Sequence, residues 1–435
     1  VIKYKKMKKQ ILGIMALCML VGAQSCVKNN VETSKDIPNK VQELIVPQNF
    51  DWVMSKTITC NVNSTTPAKI EIYSDKECIE ELLAAFITGE SSNSTFLSVP
   101  KSTEKLYLKY ISVAGTVKIV EQNINNNVVT FGVSDAGAVK SSQTKVATKD
   151  VPVDKDRAYI SYPSGWGTVM FEDLFPNIGD YDFNDFVASY LITVEYPWKN
   201  GKYDTRYAKN IRVHLRLRAI GGSIAYTPYV GIVGLKKANV TIYDKPYNNP
   251  AYPGVNPKIS NNTTDGVKVS LVDNIANDAV VEFKNLNASN PNRIAGGMFY
   301  NTNPGFITKE SSLTFVCVWL ALNEEVLVKD LLDDKIDIFL ASPDKKKEIH
   351  LRGFNSVFSS YDFGVAGVNK KVPYASDKNL VWGIKVPKGI SHAVEMVNFC
   401  NAYKDFANWA MSGGEANVNW YTKNMVKDSL IVWPK

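Results

Sequence analysis

Between two runs of strand-forming residues the chain sets Asp180, Asp182, Asn184 and Asp185 within six positions. The surrounding stretch, Phe171–Tyr190, reads FEDLFPNIGDYDFNDFVASY. Phe186–Tyr196 has the β-branched and aromatic bias of a strand. Gly179 and the Asp/Asn cluster read as the turn that feeds it. On an extended backbone Asp180, Asp182 and Asn184 share one side, and Asp185 reaches from the other. Carboxylates crowded in this way repel one another unless something pairs with them. A hard cation with oxygen ligands, calcium first among them, is one physical solution. The competing reading is an Asx-rich turn whose side chains hydrogen-bond their own backbone. An EF-hand is excluded: counting from Asp180, its Gly and Glu positions hold Asp185 and Leu191.

The remainder of the chain predicts a mostly β protein. Lys56–Val62, Lys69–Tyr73, Thr95–Val99, Lys105–Ile111, Gly115–Glu121 and Val128–Val133 are short, roughly alternating and separated by Asn, Ser and Gly. That pattern predicts a small β-sandwich module over 51–134, interrupted at Cys78–Phe86 by one or two helical turns. The Ser/Thr/Lys/Ala-rich stretch Asp135–Pro152 marks a domain boundary, followed over 153–435 by a larger β-sandwich-like domain. In that domain IRVHLRLRA alternates: Ile211, Val213, Leu215 and Leu217 face one way. Arg212, His214, Arg216 and Arg218 face the other, where solvent or acidic partners are expected. From Ala393 to Met411 the apolar spacing turns helical, with Ser391 as cap and Gly413–Gly414 as stop, so a C-terminal helix is expected. No repeat of 20–50 residues is apparent.

The N-terminal region reads as a targeting segment, with Met7 the expected start of translation. Lys8 and Lys9 precede the apolar run Ile11–Gly22, and small and polar residues lead to Cys26. This is the layout of a secretory signal over 1–25, with an apolar core shorter than the roughly 20 residues a membrane span needs. Val21–Ser25 before Cys26 resembles a bacterial lipoprotein signal, so lipid on Cys26 is expected to hold the chain to a bilayer. Residues 26–50 then read as a polar tether. Val27 beside the cysteine favours the outer membrane, facing the periplasm or the surface. The segment 1–25 carries five lysines and no acids, so removing it lowers the formal net charge from +7 to +2. The basicity is therefore mostly targeting sequence and gives no argument for a nucleic-acid partner.

The stretch Phe171–Tyr190 resembles the signature of the LruC-domain family, found in lipoproteins of the Bacteroides group and other bacteria. Further phrases follow in family-like order: EIHLRGF at Glu348–Phe354, LVWGIKVP at Leu380–Pro387, AYKDFANWAMSGG at Ala402–Gly414 and NWY at Asn419–Tyr421. The resemblance covers roughly Val151 to the C-terminus. It implies a β-rich, envelope-anchored domain and supplies no catalytic residues. The N-terminal module resembles small prealbumin-like modules, more weakly. Calcium maps onto Asp180, Asp182, Asn184 and Asp185, with Glu172 and Asp173 as additions from the preceding strand end.

Enzyme signatures are sparse. There is no Gly-rich phosphate loop, HExxH or GxSxG. Three histidines and no CxxC give little for a zinc site. Cys60 and Cys78 are placed to join neighbouring strands by a disulfide, which export permits. The Pro- and Asn-rich stretch Tyr243–Thr264 offers Tyr243, Tyr247 and Tyr252 as a ligand loop. The primary expectation is a non-catalytic binding or structural protein of the cell envelope, stabilised by calcium at Asp180–Asp185. The alternatives are a surface component that binds a glycan or another envelope protein, and a carbohydrate-active enzyme using Glu172 and Asp173.

Overall fold

Every second side chain of Lys105–Ser112 is buried, and Leu106, Leu108 and Tyr110 form its inward face. That alternation makes a strand covered on one side. The computed structural model describes residues 37–435 apart from 90, 113–114, 135–138, 141–157, 201, 243–266, 287–298, 306, 311–312, 423–424 and 434–435. Ser92–Pro100, Ser55–Ser64 and Val128–Val133 form a three-stranded sheet in that order, the first pair antiparallel and the second parallel.

The larger sheet has eleven strands. Val240–Ile242, Phe315–Leu327, Tyr207–Ala219, Phe186–Glu195 and Tyr159–Phe171 form one half. Leu82–Thr88, Ala68–Tyr73, Lys105–Ser112, Thr116–Asn123 and Val139–Lys140 extend it, and Gly383–Val386 pairs with the far end of Tyr159–Phe171. The halves meet where Ala84 pairs with Ile160 and Ala85 with Tyr159. A five-stranded sheet, in the order Lys268–Leu271, Asp278–Lys284, Thr227–Lys236, Ile336–Ala341 and Glu348–Ile349, shares the same core. One apolar cluster holds Ile58, Tyr162, Val213, Ile338 and Trp382 together.

Residues 39–435 thus form one compact unit. The stretches on either side of 135–152 share a sheet and a core, so packing continues across the expected boundary. The joining strand, Leu82–Thr88, is where one or two helical turns were expected. Six of its seven residues are buried, and a strand covered on both faces loses the alternation that separates strand from helix.

Three further expectations are corrected. From Val41 onward the expected tether is packed: Val41, Leu44, Val46 and Phe50 are buried in a second apolar cluster. Of the two expectations for the arginine-bearing face of Tyr207–Ala219, solvent is corrected and acidic partners are found: Arg212, His214 and Arg218 are buried, Arg212 pairs with the buried Glu195, and Arg216 pairs with Glu310. The C-terminal helix is two short helices, Phe399–Ala402 and Phe406–Met411, with Tyr403 extended between them. Residues 394–398 are not helical: Val394 and Glu395 give their N–H groups to the Leu430 and Thr302 carbonyls, and Val397 closes a turn onto Val394. Met396 takes a left-handed φ of 62° and donates its N–H to the Asp182 carboxylate. The second cluster packs Trp52, Tyr181, Phe183, Phe399, Phe406, Trp409 and Trp420 under the acidic turn.

Candidate metal centre

The turn is not extended. Tyr181 and Phe183 both adopt left-handed backbone, with φ of 57° and 53°, a conformation that costs a bulky residue on the order of 1–2 kcal/mol. Two arrangements offset that cost. Both rings are fully buried in the second cluster, and Phe183 meets Phe399 edge-on at 5.4 Å between centroids. The twist also turns the Tyr181 and Phe183 N–H groups onto one carboxylate. Glu172 Oε2 accepts from Tyr181 at 3.0 Å and Oε1 accepts from Phe183 at 2.7 Å.

The other acidic groups are placed by similar backbone bonds. Asp182 Oδ1 accepts from the Asn184 N–H at 2.9 Å, and its Oδ2 accepts from Met396 at 2.7 Å. Asp185 Oδ2 accepts from the Asp173 N–H at 2.7 Å, and Asp173 Oδ2 accepts from Ile224 at 3.0 Å. The Asn184 amide donates to the Ala393 carbonyl at 3.3 Å, which leaves its Oδ1 buried without a donor. All six residues expected from the sequence lie at this one corner. Of these, Glu172, Asp180 and Asp182 each offer a carboxylate oxygen within 4.8 Å of the others. That grouping is capable of coordinating a divalent cation such as calcium. Glu172 and Asp182 are buried, while Asp180 opens the group to solvent.

The electrostatics show an uncompensated cluster. Among the described residues no lysine or arginine forms an ion pair with Glu172, Asp173, Asp180, Asp182, Asp185 or Glu395. Burial, then Asp185 and Asp182, raise the Glu172 carboxyl well above its ordinary range. Burial and Asp180 push Asp182 up to about 8. Burial and Asp173 push Asp185 up to about 7. Burial also raises Asp180 and Glu395. Without a cation these groups hold protons that water-exposed acids give up.

Glu395 is the acidic residue that the sequence reading missed. It lies 210 positions beyond Asp185 in a stretch, HAVEMVNF, with no acidic neighbours to mark it. Only the docking of residues 395–399 on the turn brings it near: Phe399 donates to the Tyr181 carbonyl at 2.8 Å, and the Asn398 amide to the Asp180 carbonyl at 2.8 Å. Other expected sites lie elsewhere. Cys60 and Cys78 are free thiols, both buried but in separate apolar clusters, so the proposed disulfide is not formed. Cys26, Tyr243, Tyr247 and Tyr252 fall outside the described residues. Among the described residues, no helix is long and apolar enough to cross a membrane.

Residues 207–421 match the family described as Domain of unknown function (DUF4842). That span contains Glu395 and Met396 but begins after the acidic turn. The crystal structure of a Bacteroides ovatus protein, provisionally described as a lipoprotein, shares the fold. The two are 20% identical with a TM-score of 0.56, over 84% of this chain and 99% of that one. No curated protein matches the chain.

Proposed function

We propose that this chain is an exported, membrane-anchored and non-catalytic envelope protein of LruC type, with calcium locking the Asp180–Asp185 turn. The observation that carries the reading is the carboxylate cluster itself: Glu172, Asp180 and Asp182 converge with no basic partner among the described residues. A divalent ion would supply the missing positive charge and draw oxygen ligands from several segments at once. The cation's ligands are Glu172, Asp180 and Asp182, with Asn184, Asp185 and Asp173 close by.

The same geometry favours architecture over turnover. A general acid or nucleophile has to reach its substrate. Glu172 is fully buried with both oxygens accepting backbone N–H bonds, and Asp173 is 5% exposed. Support for anchoring comes from the lipoprotein-like run before Cys26 and from the likeness in fold to the Bacteroides ovatus protein. On this reading Cys26 carries the lipid and the outer membrane holds the chain.

Calorimetric titration with calcium tests the metal. Saturable binding, with a dissociation constant of about 10⁻⁴–10⁻³ M or tighter as in extracellular modules, is expected in the wild type and is lost in Asp180→Asn. No binding up to several times that concentration refutes the reading. Cell fractionation tests the anchor: Cys26→Ala should move the protein out of the membrane fraction, and an unchanged distribution counts against lipidation.

A further inference from the structure

Hydrogen bonds pin the first packed residues of the chain to the acidic corner. The Val41 N–H donates to Asn398 Oδ1 at 3.0 Å, the Asn398 amide donates to Gln42 Oε1 at 2.9 Å, and the Gln42 amide donates to the Gly179 carbonyl at 2.9 Å. Residues 39–45, 178–180 and 396–398 thus meet at one surface, where Lys40, Asp180, Met396 and Lys427 line an open notch. Apolar side chains at this junction face solvent. Ile45 is 84% and Met396 79% exposed, the two highest values for large apolar side chains among the described residues, and Ile178 is 51% exposed. Leu44 and Val46 are buried on either side of Ile45, which turns it outward. Met396 stands at a left-handed φ of 62°, where glycine or asparagine would fit at less cost. Apolar surface exposed in this way, with polar groups around it, marks contact with a membrane or another protein.

Position along the chain selects between the two. Cys26 lies 13 positions before Asn39, and a segment of that length spans at most about 45 Å. With lipid on Cys26, the corner at residue 39 is the part of the folded body tied nearest to the bilayer. Charge alone does not hold it there, because the exposed Lys40 and Lys427 are matched by the exposed Glu43 and Asp180. Contact depends on the apolar side chains.

We propose that this junction is a membrane-contact surface, with Ile45, Ile178 and Met396 seated in the headgroup layer of the bilayer that carries the anchor. The partner is the interface of a phospholipid bilayer, which takes up apolar side chains while lysines beside them reach the phosphates. The inference rests on the reading of Cys26 as lipidated. Its effect is to hold the acidic turn and the docked segment 395–399 against the membrane. Two attachments then orient the folded body, where the lipid alone would leave it to swing.

Fluorescence quenching in the lipidated whole protein, reconstituted in phosphatidylethanolamine–phosphatidylglycerol vesicles, reads this contact. A fluorophore is placed on Met396→Cys, with the wild type as the labelling blank. Lipid bearing a nitroxide on its headgroup is expected to quench that probe by about twofold or more. It should leave the same probe at Ile119→Cys, on the strand Thr116–Asn123 outside this corner, close to its unquenched emission. Ile45→Ser with Ile178→Ser, at exposed positions and without a change in the charge of the turn, is expected to restore the emission at 396. If the protein floats with the vesicles, equal quenching at 396 and 119, quenching at neither, or quenching that survives both serines overturns the surface and leaves the anchor standing. A dimer in detergent that the two serines dissociate assigns the patch to a second copy and overturns it as well. Protein that does not float with the vesicles removes the anchor reading and this inference together.

Discussion

Met396 donates its backbone N–H to the Asp182 carboxylate at 2.7 Å, across 214 positions of sequence. This bond and the neighbouring one from Phe399 to the Tyr181 carbonyl dock the C-terminal segment on the acidic turn. Met396 is 79% exposed and sits at a φ of 62°, so its side chain adds little and its backbone carries the contact.

Substitutions at 396 should therefore sort by backbone rather than by side chain. Met396→Gly keeps the N–H and removes the left-handed strain, and it should change stability by no more than about 1 kcal/mol in either direction. Met396→Pro removes the donor and cannot reach the required φ, and it should cost about 3 kcal/mol or more. Urea unfolding of the two variants measures the difference. Equal losses would show that the bond to Asp182 is not what holds the segment.

The pH dependence of the metal-free protein follows from carboxyls that are raised rather than lowered. Asp185 and Asp182 titrate at about 7 and about 8 when folded, against a usual value of 3.8. Between those values the folded chain holds protons that the unfolded chain has released. Stability is then fully present below about pH 4 as far as these groups are concerned, and is lost as pH rises through 7 to 8. Melting scans in chelator from pH 5 to 8.5 should show a falling Tm. Saturating calcium should flatten or reverse the trend, because the ion takes the ionised form. A rising Tm in chelator would contradict the cluster as described.

The buried Asp337–His350–Glu348 group makes a separate prediction. His350 is fully buried, with Nδ1 at 2.5 Å from Asp337 and Nε2 at 3.0 Å from Glu348. The Asp337 charge is the largest influence raising its pKa, against the opposing effect of burial. Glu348 in turn accepts N–H bonds from Val357, Phe358 and Ser359. His350→Ala leaves two buried carboxylates without their cation and should cost about 3–5 kcal/mol. Because the imidazole pKa is raised, its contribution is whole below about pH 6.5 and fades as pH climbs through the folded value. A loss below about 1 kcal/mol in equilibrium unfolding would show that the pair is not charged in the folded state.

Glycine at 221 is required by space. Gly221→Ala drives a methyl to 1.9 Å from Asn184 Oδ1, whereas a Cβ on the strand residue Gly132 meets nothing within 4 Å. Overpacking should cost Gly221→Ala about 1–3 kcal/mol, and Gly132→Ala should stay within about 0.5 kcal/mol. Chemical denaturation of the pair checks this, and equal effects would mean that the corner is loosely packed.

The β-rich fold and the acidic corner were legible because both leave local marks: alternation in strands such as Lys105–Ser112, and Asp and Asn packed between Gly179 and Phe186. What stayed hidden depends on burial by distant segments. Arg212 and His214 occupy the polar phase of an alternating strand, and only tertiary cover reveals that this face is inside. Leu82–Thr88 lacks alternation because both its faces are covered. The helical spacing after Ala393 reports which residues reach the second cluster. It does not report that Met396 and Phe399 give their N–H groups to the turn. Glu395 joins the corner through that same docking, so no local pattern announces it.

Thermal unfolding of the whole chain in calcium and in chelator is the most direct test of the central claim. At free calcium a hundredfold above the dissociation constant, binding to the folded state alone adds about 2.7 kcal/mol. The wild-type Tm should rise accordingly, and Asp180→Asn should lose most of that rise while melting in chelator close to the wild type. A wild-type Tm that is the same in both solutions would contradict a cation-locked turn.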